Sequence, residues 1–374
     1  MTRPTRIRID LAALRANYLH ARGVHGGRAL AVIKANAYGH GALACARALA
    51  AVVDGFAVAF VDEARALREG GVRNPILVLE GVFHANELKL AHELDLWLVV
   101  HHEEQIQLLQ RSAIVGPFNL WLKIDTGMSR AGFSSSEATH ARQRLLATGK
   151  ASAITLMTHF ARADEPGEPM TAHQIETFDA ATATLDGERS LCNSAGLLAW
   201  PAAHRDWARP GLALYGVAPH AVAVPQLQPV MTFESSVFAV RTLEPGQSLG
   251  YGATFTAARH MRVGLVCAGY ADGYPQTART GTPLAVDGRA SVLIGRVSMD
   301  MLSVDLTALP DAGVGSTVEL WGRRIAVAAV ARAAGRSPYE LLCSVKRAPL
   351  MYATAEDSKQ RAHAAGRDLR IVIV

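Results

Sequence analysis

Eight short apolar runs punctuate the first 220 or so residues: "ALAVIK", "GFAVAF", "PILVLE", "DLWLVV", "NLWLKID", "ITLMTHF", "SLCNSA" and "GLALYG". Each is strand-sized, and each is separated from the next by a segment long enough for a helix. Several of those segments, such as "GALACARALAAV" and "VDEARALREGG", are rich in Ala, Leu and Arg and carry helical periodicity. The alternation predicts repeated βα units and hence a parallel sheet. Eight units suit an α/β fold of the TIM (β/α)8 barrel type. A doubly wound sheet is the alternative, opposed by the strand count and by the lack of a G-x-G-x-x-G turn after any run.

The rhythm changes near "PHAVAVPQLQPVM", where proline content rises. A boundary is expected there, giving a barrel over 1–226 and a second domain over 227–374, with the first few residues candidates to pack on the latter. Downstream, "FESSVFAVRTL", "RVGLVCAGY", "TPLAVDGRASVLIG", "MLSVDLT" and "STVELWGRRIAV" are β-branched runs joined by turn residues. They predict a C-terminal, mostly antiparallel β domain with one clear helix around "VAAVARAAG". The ending "ATAEDSKQRAHAAGRDLRIVIV" has a polar section and an isolated apolar tip, and is expected to be an extension with no assigned function.

With 50% hydrophobic and 19% charged residues, the chain can bury at least one large core. The N-terminal "MTRPTRIRIDLAAL" lacks a sustained apolar core, and no apolar run is long enough to span a bilayer, so a cytoplasmic protein without membrane insertion is expected. Cys45, Cys192, Cys267 and Cys343 lie far apart with no C-x-x-C pair, which argues against a zinc site or a disulfide framework. The 38 Lys and Arg are scattered among 33 Asp and Glu, so the net +5 charge does not indicate a nucleic-acid surface. His101 and His102 read as a loop leading into a helix, and no metal is expected.

In a barrel of this kind, catalytic groups gather at the carboxyl ends of the strands. Lys34 ends the first run, Lys123 and Asp125 the fifth, His159 the sixth, Asn193 and Ser194 the seventh, and Tyr215 the eighth. A lysine between apolar residues has its charged form disfavoured, which frees the amine for Schiff-base formation. Position alone also allows a snorkelling lysine, and slightly favours it.

The wider context is specific. "AVIKANAYGHG", "KIDTGMSRAGF", "THFARADE", "CNSAG", "RPGLALYG", "GYADGYP" and "GRVSMD" occur in this order and span most of the chain. Together they resemble the motifs of the alanine racemases, the fold-type III pyridoxal phosphate enzymes. The resemblance implies that Lys34 binds pyridoxal phosphate as a Schiff base and serves as one acid/base group, with Tyr270 the other. Inversion of Cα needs proton removal on one face and return on the other, which one base performs poorly. A tyrosine, with a pKa about 10, is a poor base unless its surroundings supply positive charge or donors.

By the same resemblance, Arg209 faces the pyridine nitrogen, and a guanidinium there keeps the ring a weaker electron sink. The cofactor phosphate is assigned to Tyr38, Ser194, the backbone of Gly211 and Leu212, and Tyr339. Loops after the seventh and eighth strands are also the usual phosphate site of this barrel. Arg130 and the backbone at Met299 are assigned to the substrate carboxylate, Asp300 behind them, and His159 to the face of the pyridine ring, with a satisfied core histidine as the competing reading. Lys123 matches a lysine that is carbamylated in many relatives. A homodimer with shared active sites, acting on L-alanine and D-alanine, completes the implied picture, whether for peptidoglycan supply or alanine breakdown.

Two positions depart from the family pattern. Ser190 stands where His is common before "ANSA", and Ser298 where Cys is common before "MD". The first predicts a weaker hydrogen-bond chain behind Arg209. Rival readings are a racemase of another amino acid, a fold-type III decarboxylase, a non-catalytic pyridoxal phosphate carrier and a cofactor-free Schiff-base aldolase. The carrier would need no second base such as Tyr270, and the aldolase would have no use for Arg209 or the tyrosine phosphate clamp.

Overall fold

The computed structural model describes residues 3–219 and 224–353. The expected tail beyond Ala353, and residues 220–223 of the proline-rich stretch, lie outside the described residues. The described residues fall into two compact units, those within Arg15–Ala37 and Gly41–Leu227 forming one, and those within Met1–Leu14, Tyr38–His40 and Gln228–Val374 the other.

In the first unit, strands Arg28–Val32, Gly55–Val58, Ile76–Val78, Trp97–Val100, Phe118–Asp125, Ala151–Met157 and Arg189–Ser190 pair in parallel in chain order. Trp207–Ala208 pairs in parallel with Arg28–Val32 at the other edge. The gap between last and seventh strands is stitched by Asp206 N–H to Arg189 O at 3.1 Å and Arg209 N–H to Cys192 O at 2.9 Å. The result is a nearly closed eight-stranded barrel with helices between the strands. Every residue of Gly55–Val58 and Ile76–Val78 is buried, as strands covered on both faces require.

The eighth strand is Trp207–Ala208, and "GLALYG" is instead a 3-10 turn over Leu212–Tyr215. Pro210 and Gly211 explain this: proline donates no ladder hydrogen bond, so extended pairing stops ahead of it. Tyr215 therefore ends no strand, and its hydroxyl donates to Val32 O at 3.0 Å.

The second unit is an eight-stranded sheet. Its order is Met261–Val266, Leu302–Asp305, Arg289–Ile294, Pro283–Val286, Thr317–Trp321, Met231–Leu243, Arg6–Ile9 and Leu350–Tyr352. All its pairings are antiparallel except Arg6–Ile9 with Leu350–Tyr352. The thirteen-residue strand Met231–Leu243 also pairs with Met261–Val266, so the sheet curls back on itself. Trp321 stacks on Tyr274 and meets Phe233 edge-on at the centre of this unit.

Among the described residues from Met231 onward there are two α-helices rather than the one expected: Val327–Ala334 and Pro338–Ser344. The second was legible in "SPYELLC", because Ser337 caps it, accepting from Tyr339 N–H at 3.2 Å, and proline occupies the first helical position. No helix among the described residues is long and apolar enough to cross a membrane.

Candidate active site

Lys34 leaves the buried strand Arg28–Val32 and starts a left-handed turn, with φ of 52°, 53°, 54° and 51° at Ala35, Asn36, Ala37 and Tyr38. Four consecutive non-glycine residues in that region cost roughly 1–2 kcal/mol each, so the surroundings must hold them. Three interactions do. Asn36 Oδ1 accepts from Ala42 N–H at 2.8 Å, Asn36 O from Gly41 N–H at 3.0 Å, and Glu63 Oε1 from Ala35 N–H at 2.6 Å. Glu63 also accepts from Ala59 N–H at 2.7 Å and Phe60 N–H at 3.3 Å, tying the end of the neighbouring strand to the residue after Lys34. Glu63 was legible in the sequence only as a capping-box position, three residues after Phe60 in the first turn of helix Val61–Glu69.

Around the same rim the barrel gathers positive charge. Lys123 is buried, and its pKa is lowered to about 8 by desolvation, then by Arg130, Arg209 and Lys34, with Glu80 opposing. His159 is held well below its ordinary value by burial first and then by Arg209, Lys123, Arg130 and Lys34. Burial and its cationic neighbours thus favour the neutral imidazole. Gln174, with no exposed surface, braces it by donating to His159 O at 3.1 Å. Arg130 sits in the exposed turn shaped by Asp125, whose Oδ1 accepts from Gly127 and Ser129 N–H at 2.9 and 3.1 Å.

Arg209 is 4% exposed and lies directly after the eighth strand. Its guanidinium donates to Ser190 O at 2.9 Å, Thr158 O at 2.6 Å, Leu191 O at 3.3 Å and Ser190 Oγ. All of these acceptors are neutral. Burial lowers its pKa to about 10, which still leaves it protonated at neutral pH. Ser190 does not leave a gap behind it: the hydroxyl accepts from Arg209 and donates to Trp207 O at 2.8 Å, so a short chain of hydrogen bonds persists.

Ser194 begins the helix after the seventh strand and is buried. Its Oγ accepts from Gly211 N–H at 2.8 Å and Ala213 N–H at 3.2 Å, which leaves its own proton to donate. Leu212 N–H, at the start of the 3-10 turn, makes no hydrogen bond among the described residues. A hydroxyl and a free backbone N–H side by side are donors suited to a phosphate, and the cationic rim suits a dianion. The residues present thus fit pyridoxal phosphate.

In the other unit, Tyr38 and Tyr339 bring their rings to 5.8 Å at 42°. Tyr38 is 7% exposed with its pKa pushed up by burial, while Tyr339 is exposed. Gly39, at φ +80°, packs so tightly that an added Cβ would lie 2.3 Å from Leu342 O. Tyr270 and Met299 share one cleft of about 910 Å³ with Tyr251, Thr254, Arg279 and Arg296. Their backbones are joined by Tyr270 N–H to Ser298 O at 3.1 Å and Ala271 N–H to Met299 O at 3.0 Å.

A parallel barrel with a lysine just past its first strand, a phosphate-suited turn after its eighth, and an antiparallel β unit defines the fold-type III class of pyridoxal phosphate enzymes. Models of the alanine racemase N-terminal and C-terminal domains match residues 9–219 and 230–352. The alanine racemase of Azoarcus sp. (strain BH72) is 58% identical over 350 residues, covering 94% of this chain and 99% of its own. The crystal structure of biosynthetic alanine racemase from Pseudomonas aeruginosa superposes with TM-score 0.92 at 45% identity, covering 94% of this chain and all of its own. That of alanine racemase from Bartonella henselae, with covalently bound pyridoxal phosphate, has TM-score 0.85 at 28% identity, covering 94% and 99%. The chain belongs to the alanine racemase family, pyridoxal phosphate-dependent isomerases that interconvert L- and D-alanine.

Proposed function

We propose that this chain racemises alanine by a two-base route in which Lys34 and Tyr270 serve opposite faces of Cα, the second base coming from a second copy of the chain in a homodimer. The proposed division of labour follows the boundary read from the sequence, a cofactor-binding barrel over 1–226 and a β domain over 227–374 that carries Tyr270. When bound, pyridoxal phosphate supplies an electron sink that acidifies the Cα–H bond. Every other role falls to the protein. Lys34 Nζ takes or returns a proton on one face, and the Tyr270 hydroxyl does so on the other.

The observation that carries the reading is Arg209, a buried guanidinium on the rim of Lys34 whose acceptors are all neutral. A cation fixed without a counter-ion can face a ring nitrogen but cannot readily give it a proton, which moderates the sink and disfavours side reactions. Ser194, the backbone at Gly211 and Leu212, Tyr38 and Tyr339 are proposed to hold the phosphate, His159 to lie over the ring, and Arg130 with the Met299 backbone to fix the substrate carboxylate.

Lys123 is proposed to be carbamylated. An amine with its pKa lowered to about 8 is partly neutral and nucleophilic toward carbon dioxide, and conversion to an anion would relieve the repulsion from Arg130, Arg209 and Lys34. The proposed compartment is the cytoplasm.

The test is a visible spectrum of purified protein followed by deuterium exchange at Cα of each alanine enantiomer in heavy water. Lys34→Ala is expected to abolish the cofactor's visible absorbance. Tyr270→Phe is expected to keep that absorbance and lose racemisation, with exchange surviving from one enantiomer only. Unchanged racemisation in the phenylalanine variant would refute the two-base assignment.

A further inference from the structure

Two residues beyond Tyr270, the side chain of Asp272 has no exposed surface. A carboxylate removed from water is strongly disfavoured unless it is paired and hydrogen-bonded throughout. Here four donors converge on it. Arg3 donates from Nη1 to Oδ1 at 3.0 Å and from Nη2 to Oδ2 at 2.8 Å, a two-pronged pair across 269 positions of sequence. Arg347 Nε lies 3.3 Å from Oδ1, while its Nη2 donates to Asp300 Oδ1 at 2.7 Å. The N–H of Gly269 donates to Oδ2 at 3.1 Å. Burial by itself would raise the carboxyl's pKa, but Arg3, Gly269 and Arg347 outweigh it and hold the group below its ordinary value.

Gly269 and Asp272 are the two ends of the turn that carries Tyr270. The carboxylate bridges them, Asp272 N–H returns to Gly269 O at 3.0 Å, and Tyr270 and Ala271 are fastened to the carbonyls of Ser298 and Met299. The fit allows little play, since a Cβ on Gly269 would lie 2.3 Å from Met299 O. Arg3 itself precedes the strand Arg6–Ile9, and Thr5 Oγ1 anchors the same segment on Cys267 O, two residues before the turn begins.

We propose that Asp272, clamped by Arg3 and Arg347, is a positioning residue for Tyr270, so that the third residue of the chain helps set where the phenol stands. The inference rests on the reading of Tyr270 as a base. Its chemistry is purely electrostatic. The carboxylate holds the turn in one orientation, and the arginines keep the carboxylate ionised and in place. A phenol displaced by about 1 Å loses roughly 10²-fold in proton transfer on its own face while Lys34 continues on the other.

The experiment uses the full-length holoenzyme with Arg3→Ala, Arg3→Lys, Asp272→Asn and Tyr270→Phe. It measures deuterium uptake at Cα from each alanine enantiomer separately, together with cofactor absorbance. Arg3→Ala is expected to keep the absorbance and one enantiomer's exchange, while the other exchange and racemisation fall about 10- to 100-fold toward the Tyr270→Phe level. Arg3→Lys, which restores charge without the fork, should recover part of the loss. Asp272→Asn should fall at least as far, and because the side chain of Arg3 is partly exposed, the Arg3 variants remain informative if that protein does not fold.

Racemisation at the unmutated rate in Arg3→Ala, with Tyr270→Phe inactive, overturns the clamp and leaves the base assignment standing. Equal loss of both exchanges along with cofactor absorbance also overturns it, because that is the signature of general destabilisation. If Tyr270→Phe itself racemises normally, the base assignment fails and takes this inference with it.

Discussion

At the scale of single residues, the barrel rim is organised by what carboxylates and neutral acceptors do to backbone and charge. Glu63 is the clearest case, one carboxylate accepting from the N–H groups of Ala35, Ala59 and Phe60. Glu63→Ala is expected to cost about 1–3 kcal/mol in chemical unfolding, because three donors lose their acceptor and a strained turn loses a restraint. It should also release the cofactor faster on dialysis, seen as decay of visible absorbance. Retention equal to the unmutated protein would show that the turn after Lys34 holds itself. Lys123 lends itself to direct measurement. Native mass spectrometry should find about 44 Da added per chain when carbon dioxide is present, lost on acidification, if its amine reacts as its lowered pKa allows. Ser190, read from the sequence as a weakening of support for Arg209, proves to link Arg209 to Trp207 O through its hydroxyl. Residue type alone could not show this, since whether a serine replaces a larger partner depends on how near the backbone brings it.

Among elements, strands and helices set by a clear period were legible, and short ones set by packing were not. The runs "ALAVIK" to "ITLMTHF" each yielded a barrel strand, because a fully buried strand requires uninterrupted apolar residues. The eighth strand shrank to Trp207–Ala208, where two residues carry no period at all, and the more apolar "GLALYG" drew the assignment instead. Helix Pro338–Ser344 is short but had capping chemistry to announce it. Removing that chemistry in Ser337→Ala should lower stability by about 1 kcal/mol, read as a lower denaturant midpoint. Because Tyr339, proposed to hold the cofactor phosphate, sits in the helix's first turn, the same variant is expected to bind pyridoxal phosphate more weakly, whereas Ser337→Asp should preserve both. No change in either quantity would mean that tertiary packing alone fixes this helix.

For the molecule as a whole, several histidines are kept neutral by the fold, and this gives stability a definite pH dependence. His25 is lowered to about 4 by burial and by His204, His101 is lowered by burial, and His159 is held well down. In each case the unfolded chain takes up a proton at a pH where the folded protein does not. Their contribution is therefore fully present above about pH 6.5 and is lost as pH falls toward the folded values, by up to roughly 3 kcal/mol for His25. Thermal unfolding of the holoprotein from about pH 8 to about pH 5 should show the melting temperature falling, with a shallower slope in His25→Gln. Identical slopes would show that other groups dominate. The sequence by itself determined the barrel and β-unit architecture, because burial imposes a side-chain period that is local and can be read. It also supplied, through its motifs, the residues proposed for cofactor and substrate. The tertiary structure alone decided how those residues are held: Glu63 on Ala35, Ser190 between Arg209 and Trp207, Arg3 on Asp272. Such contacts join groups remote in sequence, on Glu63 and Ser190 through backbone atoms that every residue shares and on Asp272 through a side chain 269 positions away, so no local pattern along the chain records them.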